Sequence, residues 1–292
     1  MIDSFLKYLQ HEKRLSSHTI TAYQHDLNQF QKFLSSNQTE SDISGADHTI
    51  IRMWIVDLME RKFEPVSVNR KLACLRRFYK YLLSRGVIKT HPMSQIQALK
   101  TPNRIPHFVQ ADHMVKLLDN QEIPETFEAL RDRLILEVLY GTGIRLSELI
   151  NLRDDNIDLR QRTIRVLGKR NKERVIPFPA SLVSLIEQYR LIRNREVSRI
   201  SETLFVRKNG EPCYPSLVYK VVRKQLATLP ALEKRSPHVL RHTYATHLLD
   251  RGAELNAVKD LLGHTSLAAT QVYTHNSLDK LRKVFEQAHP KA

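Results

Sequence analysis

The sequence predicts a mainly α (α+β) protein of two domains. A helical bundle of the first hundred residues comes first, then a larger, mostly helical domain with a small antiparallel sheet. Three observations predict it. The chain has 292 residues, about twice the ~100–150 of a common single domain. Apolar residues recur at spacings of three and four through both halves, the pattern of helices with one buried face. Only one short stretch, 163–177, shows strand-like runs on either side of a polar tip. With 41% hydrophobic and 26% charged residues the usage is that of an ordinary globular protein, which excludes a disordered chain.

Taken in order, Met1-Ile2-Asp3 opens directly into an amphipathic pattern. There is no basic segment followed by an apolar run, so no secretory leader is expected. Ser17 is the expected N-cap of a helix whose stripe is Ile20, Tyr23, Leu27, Phe30 and Leu34. Asp47 is expected to cap the next, with Ile50, Trp54 and Leu58 on one side. A further helix runs through Val68, Leu72, Leu75, Tyr79 and Leu82 and stops at Gly86. Its other face carries Arg70, Lys71, Arg76, Arg77 and Lys80. Residues 48–89 hold ten basic against three acidic side chains, too lopsided for pairing along the helix to neutralise.

Lys100 to His107 contains Pro102 and Pro106 and no helical stripe, so the expected division is 1–99, a linker at 100–107, and 108–292. Helices are expected over 111–119 and 127–140. Thr163–Leu167 and Arg174–Pro177 then read as two strands around the tip Gly168-Lys169-Arg170-Asn171-Lys172-Glu173. Beyond the hairpin the chain is again mainly helical, without internal repeats or low-complexity tracts.

The charge narrows the function. There are 46 Lys and Arg against 31 Asp and Glu, a net +15. Residues 1–106 hold 16 basic and 9 acidic side chains and the remainder 30 and 22, so both halves are basic. That favours a polyanion touched by both domains, nucleic acid before a membrane surface, since no basic amphipathic helix with a bulky apolar face stands out. Cys74 and Cys213 stand 139 residues apart, neither a disulfide framework nor a zinc spacing. No window approaches the ~18 apolar residues of a membrane span. The expectation is a soluble, cytoplasmic protein.

Four stretches of the second half carry candidate chemistry. In Gly141-Thr142-Gly143-Ile144-Arg145-Leu146-Ser147-Glu148, two of only eight glycines permit a tight turn that delivers Arg145 to a helix start. By itself this reads more readily as a surface Arg–Glu pair. Ser236-Pro237 is a strong helix start, with His238 and Arg241 on the first turn, where free N–H groups favour an anion. His238, His242 and His247 invite a zinc reading, but the spacing lacks the glutamate of a metalloprotease helix, so packing is the better account of His242 and His247. Gly263 ends a helix in Leu261-Leu262-Gly263-His264, and Tyr273 follows nine residues after His264. A lone tyrosine is far more often core or rim than nucleophile.

In order and spacing, Arg145, Lys169 in the hairpin tip, His238-Val239-Leu240-Arg241, Leu261-Leu262-Gly263-His264 and Tyr273 resemble the tyrosine recombinase (phage integrase) family, and most of all its Xer branch. The resemblance covers essentially the whole chain. It implies a SAM-like helical core-binding domain followed by a catalytic domain. It also implies that Tyr273 attacks a scissile phosphodiester, giving a 3′-phosphotyrosyl link and a free 5′-hydroxyl. Arg145 and Arg241 would clamp the phosphate, and Lys169 would protonate the leaving oxygen, with Lys172 the nearest competitor. His238 would transfer a proton and His264 donate to the phosphate. No metal and no other cofactor is implied. Arg70, Lys71, Arg76, Arg77, Lys80, Arg170 and Lys172 are the further candidates for contact with double-stranded DNA.

The implied assembly is a homo- or hetero-tetramer on two DNA sites, working through a Holliday junction, without a membrane. An Xer-like role adds a second Xer-type recombinase and a septal DNA translocase as partners. The role expected first is chromosome dimer resolution. A mobile-element integrase or excisionase of the same family stands beside it, and a type IB topoisomerase or an inert DNA-binding protein behind. The final stripe, Leu278, Leu281, Phe285 and Ala288, must be buried either on its own domain or, as the resemblance favours, on a neighbour's.

Overall fold

A computed structural model describes residues 1–36, 42–102, 107–119, 126–168, 173–198, 201–229, 232–263 and 275–291, the side chains of 275–280 excepted. The chain divides into two compact units, Met1–Arg104 and Ile105–Ala292, and each has its own core.

The first unit holds α1 (Ile2–His11), α2 (Ser17–Ser36), α3 (His48–Glu60) and α4 (Pro65–Ser84). Most of the expected stripes are its core. Ile20, Tyr23 and Ile50 are only partly buried against it, and Ile51 rather than Ile50 is on the buried side of α3. Leu27, Phe30, Leu34, Trp54, Leu58, Val68, Leu72, Leu75, Tyr79 and Leu82 are all buried. Trp54 lies 4.8 Å from the Phe30 ring, and burying each such side chain contributes about 1.5–3 kcal/mol. Asp47 caps α3 as expected, accepting from the amides of Thr49 and Ile50 at 2.9 Å each. The α2 cap falls one residue earlier than Ser17, since the Ile20 amide donates to the Ser16 carbonyl. Gly86 closes α4 with φ of 70°.

Lys71 does not belong to the basic face. It is 2% exposed, and its Nζ donates to Asp26 Oδ1 at 2.9 Å and to Gln29 Oε1 at 2.6 Å. Asp26 is buried and needs partners, and the neighbouring Arg70 also donates to both its oxygens. The face is therefore built from the half-exposed Arg70 with Arg76, Arg77 and Lys80.

The second unit is built on α6 (Phe127–Thr142), which follows α5 (Ala111–Asp119) and is buried almost all round. A helix buried on nearly every side is a central one, and its buried charges are paired, Arg133 donating to Glu137 at 2.7 Å. The short α7 (Leu146–Ile150) follows, then a 3-10 turn at Asp154–Asn156. The three-stranded antiparallel sheet is β1 (Ile157–Asp158), β2 (Thr163–Leu167) and β3 (Glu173–Pro177), in that order. The expected hairpin pairs Thr163 with Pro177 and Leu167 with Glu173. The two-residue β1 was not expected. α8 (Ser181–Glu196), α9 (Pro215–Leu226), α10 (Pro237–Asp250), α11 (Leu255–Leu262) and α12 (His275–Ala288) complete the unit. Both α8 and α10 pack on α6. Cys74 and Cys213 are buried free thiols, and burial pushes both pKa values up, to about 12 and about 11. Among the described residues no helix is long and apolar enough to cross a membrane.

α12 docks on its own domain: Leu281, Phe285 and Ala288 join the core of the second unit. His289 follows, 3% exposed, stacked at 4.7 Å on Phe285 and tilted against Tyr140 and Tyr244. Burial pushes its imidazole down to about 3, so it is neutral in the folded chain. An unfolded histidine titrates near 6.5. Between that pH and about 3 the unfolded chain binds a proton that the folded chain refuses, so stability falls as pH falls. His289→Phe keeps the stacking face and removes this liability. Relative to the wild type it should gain about 2 kcal/mol on going from pH 7.5 to pH 5, measured by urea denaturation at both. An unchanged difference between the two proteins would show that the imidazole is not held neutral.

Candidate active site

α6 ends at Gly143, which adopts φ of 61°, and its amide donates to the Leu139 carbonyl. A side chain there would strain the backbone, and a Cβ would lie 2.5 Å from the Tyr244 ring. Of the two glycines expected to form the turn, only Gly143 does so. Gly141 lies within α6, against Pro179 and Leu182 of the segment entering α8. The turn at Gly143 delivers Arg145 to the N-cap of α7, where its amide donates to Glu148 Oε2 at 2.7 Å.

Three arginines meet at the end of α11. Arg145 Nη2 donates to the Gly263 carbonyl at 2.9 Å. Arg241, from the first turn of α10, donates Nη2 to Leu262 and Nη1 to Gly143, both carbonyls at 2.6 Å. Arg174, from β3, donates Nε to the Leu261 carbonyl at 3.0 Å. Carbonyls at a helix C-terminus lack intrahelical donors and carry partial negative charge, so a guanidinium suits them. Gly263 makes this possible with φ of 65°, turning the chain beside Arg174.

Glu148 is the carboxylate of this group. It accepts from Arg174 through both oxygens, at 2.7 and 2.8 Å, and from Arg145 Nη1 at 2.9 Å. Burial opposes its ionisation, but the Arg174 hydrogen bonds and charge, and then the Arg145 contacts, outweigh that and hold its pKa below the usual range. Arg241 is 8% exposed. Burial first, then the charges of Arg145 and Arg174, bring its pKa down to about 10. The site is thus a preformed cluster of cations with excess positive charge, suited to an oxyanion. Beside it lies a cleft of about 510 Å³ whose lining includes Arg145, Ser147, Asn151, Arg153 and Arg165.

Of the residues expected at the site, the structure brings Arg145 and Arg241 together. His238 is exposed on the first turn of α10, which Pro237 starts, though the Ser236 side chain makes no capping bond. Lys169, His264 and Tyr273, like Arg170 and Lys172, lie outside the described residues. His247 packs, as expected. Its Nε2 lies 2.8 Å from the Val109 carbonyl, which can only accept, so that nitrogen carries the proton and Nδ1 accepts from the Tyr140 hydroxyl at 3.0 Å. Among the described residues no three His, Cys, Asp or Glu side chains gather as a metal site. Arg174 and the Tyr244 ring were missed in the sequence.

Residues 107–279 match the phage integrase family, and residues 2–86 match the phage integrase N-terminal SAM-like domain. The chain belongs to the phage integrase family. It is a tyrosine site-specific recombinase of Xer type. The tyrosine recombinase XerC of Pelobacter propionicus is 38% identical over 292 residues, covering 100% of this chain and 95% of that protein. The XerC of Anoxybacillus flavithermus is 35% identical over 295 residues, covering 100% and 98%. Among solved structures, the XerH site-specific recombinase bound to difH substrate, in a pre-cleavage complex, matches with a TM-score of 0.71. It is 18% identical, with 98% of this chain and 82% of that one covered. The Tn1549 transposon integrase in complex with transposon right end DNA also gives 0.71, at 18% identity and 97% and 98% coverage. At these identities the structures speak to the fold alone.

In this recombinase the Gly143 turn should tolerate no side chain. Gly143→Ala combines a left-handed alanine with a clash against a buried ring, and should cost about 2–4 kcal/mol in urea denaturation. A loss below about 1 kcal/mol would show that the Tyr244 ring yields at little cost.

Proposed function

We propose that this recombinase cuts and rejoins double-stranded DNA through a covalent 3′-phosphotyrosyl intermediate formed by Tyr273. The observation that supports it most is the pair Arg145 and Arg241, held by carbonyls at one helix end in a cluster with more guanidiniums than carboxylates. Two fixed forks of donors suit the non-bridging oxygens of a phosphodiester, whose negative charge grows as the nucleophile attacks.

In this reading the Tyr273 oxygen forms a bond to phosphorus as the bond to the 5′-oxygen breaks. Lys169 supplies the proton that the departing oxygen takes up. His238 handles the tyrosine proton, and His264 donates to the phosphate. The 5′-hydroxyl of another strand then attacks the phosphotyrosine and releases the enzyme. One difficult displacement becomes two easier ones, and the phosphodiester bond energy is retained, so no nucleotide is consumed. Neither metal nor other cofactor takes part in this scheme.

DNA as substrate is supported by basic residues in both halves and by the recombinase relatives. Proteins of the same fold, the XerH recombinase with difH and the Tn1549 integrase with transposon end DNA, hold DNA. Residues 1–99 would serve as the core-binding domain and 108–292 as the catalytic domain, joined by 100–107. Arg70, Arg76, Arg77 and Lys80 would meet phosphates from the first domain, and Arg170 and Lys172 from the hairpin tip. Four protomers on two sites would exchange one strand pair at a time through a Holliday junction. By its Xer resemblance this recombinase would resolve chromosome dimers, with a second Xer-type recombinase and a septal translocase as partners and the cytoplasm as location.

The test begins by footprinting the protein on genomic fragments, then nicking a duplex of the protected sequence near the cleavage position. Wild-type protein should form a covalent adduct. Tyr273→Phe should bind this duplex with unchanged affinity and form none, and an adduct from the variant would remove Tyr273 as nucleophile.

Lys169→Ala should slow adduct formation by about 10²–10⁴-fold, the usual worth of a general acid. A duplex with sulfur at the bridging 5′ position has a leaving group that needs no proton, and should restore the rate. Failure of sulfur to rescue, with binding intact, would pass the role to Lys172 or make Lys169 structural. Efficient relaxation of a supercoiled plasmid lacking the protected sequence, without exchange, would favour a topoisomerase.

A further inference from the structure

β3 carries one arginine into the interior, where each of its three nitrogens has a partner. Arg174 is 4% exposed. Nη1 and Nη2 take the two oxygens of Glu148, and Nε takes the Leu261 carbonyl. This single side chain therefore ties three elements together: the strand leaving the hairpin, the helix that Arg145 caps, and the end of α11. The ring closes through Arg145, which holds Glu148 with one arm and the Gly263 carbonyl with the other. Packing admits little slack, since a Cβ on Gly263 would lie 3.1 Å from three atoms of the Arg174 side chain.

The chemistry of the ring gives Arg174 a task beyond filling space. Glu148 is buried and ionised, so it draws guanidinium donors strongly. With Arg174 present its two oxygens are already bridged, and Arg145 contributes one Nη and its amide. Without Arg174 the same carboxylate would have Arg145 as its remaining cation and would draw the whole fork toward itself, away from any incoming anion. The end of α11 would also lose one of three anchors, and with it the register of the carbonyls that hold Arg145 and Arg241.

We propose that Arg174 is a positioning residue for strand transfer: by occupying both oxygens of Glu148 and pinning the end of α11, it leaves the Arg145 and Arg241 forks aimed at the phosphate. The inference rests on the reading that these two arginines bind the scissile phosphate.

The test uses full-length protein and the nicked duplex of the protected sequence, following adduct formation in a single turnover beside affinity and urea denaturation. Arg174→Gln should slow the adduct by about 30-fold or more, since small displacements of catalytic groups cost up to 10²-fold, while affinity for the duplex changes by less than about threefold. Adding Glu148→Gln should recover about tenfold of the lost rate, because a neutral amide no longer captures Arg145. A merely structural arginine predicts the opposite, a double variant as slow as the single one or slower, and that result overturns the proposal.

Arg174→Lys keeps the buried charge if Arg174→Gln fails to fold. A single ammonium lacks the planar fork with which three separate nitrogens reach both Glu148 oxygens and the Leu261 carbonyl, so this variant should fold and still react slowly. A rate equal to the wild type would also overturn the proposal. If the wild type itself forms no adduct, the phosphotyrosyl reading is wrong and the proposal falls with it. If the wild type reacts and the Arg174 variants match it, only the proposal fails.

Discussion

A guanidinium buried among other guanidiniums is the constraint on which the catalytic unit is built. Arg241 is almost wholly removed from water, and Arg145 and Arg174 repel it further, which is why its pKa falls to about 10. At neutral pH it nevertheless stays charged, and a buried charge is tolerable only with close partners. Those partners are two carbonyls, of Gly143 and Leu262, each freed for the purpose by a chain reversal at a left-handed glycine. The backbone geometry at Gly143 and Gly263 is thus a consequence of where Arg241 must be neutralised. Glu148 answers the same need for Arg145 and Arg174.

The surrounding fold keeps this arrangement stiff. α6 is enclosed on nearly all sides, and Arg145 leaves from the turn at its C-terminal end. α10, which carries Arg241, packs along α6, and the Tyr244 ring one turn away presses on Gly143. Both arginines are therefore referred to one central helix rather than to surface loops. Close packing of this kind moves as a unit or not at all, so a change at Gly143 reaches both forks.

What could be read from the sequence depended on whether the deciding partner was local. The four helices of the first unit were legible because one-sided apolar stripes such as Val68, Leu72, Leu75, Tyr79 and Leu82 need only their own periodicity. Asp47 was legible because the amides that donate to it stand only two and three residues further on. Lys71 was misplaced because its position on α4 allows it to reach a carboxylate on α2, and the periodicity of one helix cannot reveal a buried Asp26 on another. Arg174 was invisible for the same reason: Glu148 stands 26 residues away on another element, and Leu261 stands 87 away. The Gly141-Thr142-Gly143 stretch was half right, since spacing cannot tell a turn glycine from one that lets a helix be approached closely. Arg145 and Arg241 were singled out through the family resemblance. The structure adds why they are held as they are.

The hydrogen bonds of Arg145 and Arg241 also bear on how they would meet the proposed phosphate. A guanidinium has five N–H groups. Toward the described residues, Arg145 engages Glu148 and the Gly263 carbonyl through its two terminal nitrogens, and Arg241 engages two carbonyls in the same way. Each terminal nitrogen carries a second hydrogen, and Nε carries one more. An oxyanion can accept these without breaking the contacts that orient the forks. The backbone carbonyls then act as a fixed mount rather than as competitors that a ligand must displace. Donors whose direction is set before charge develops are the kind that stabilise a transition state most, because no reorganisation is required when the charge appears. The excess positive charge of the cluster is, by the same argument, what the proposed phosphodiester would relieve.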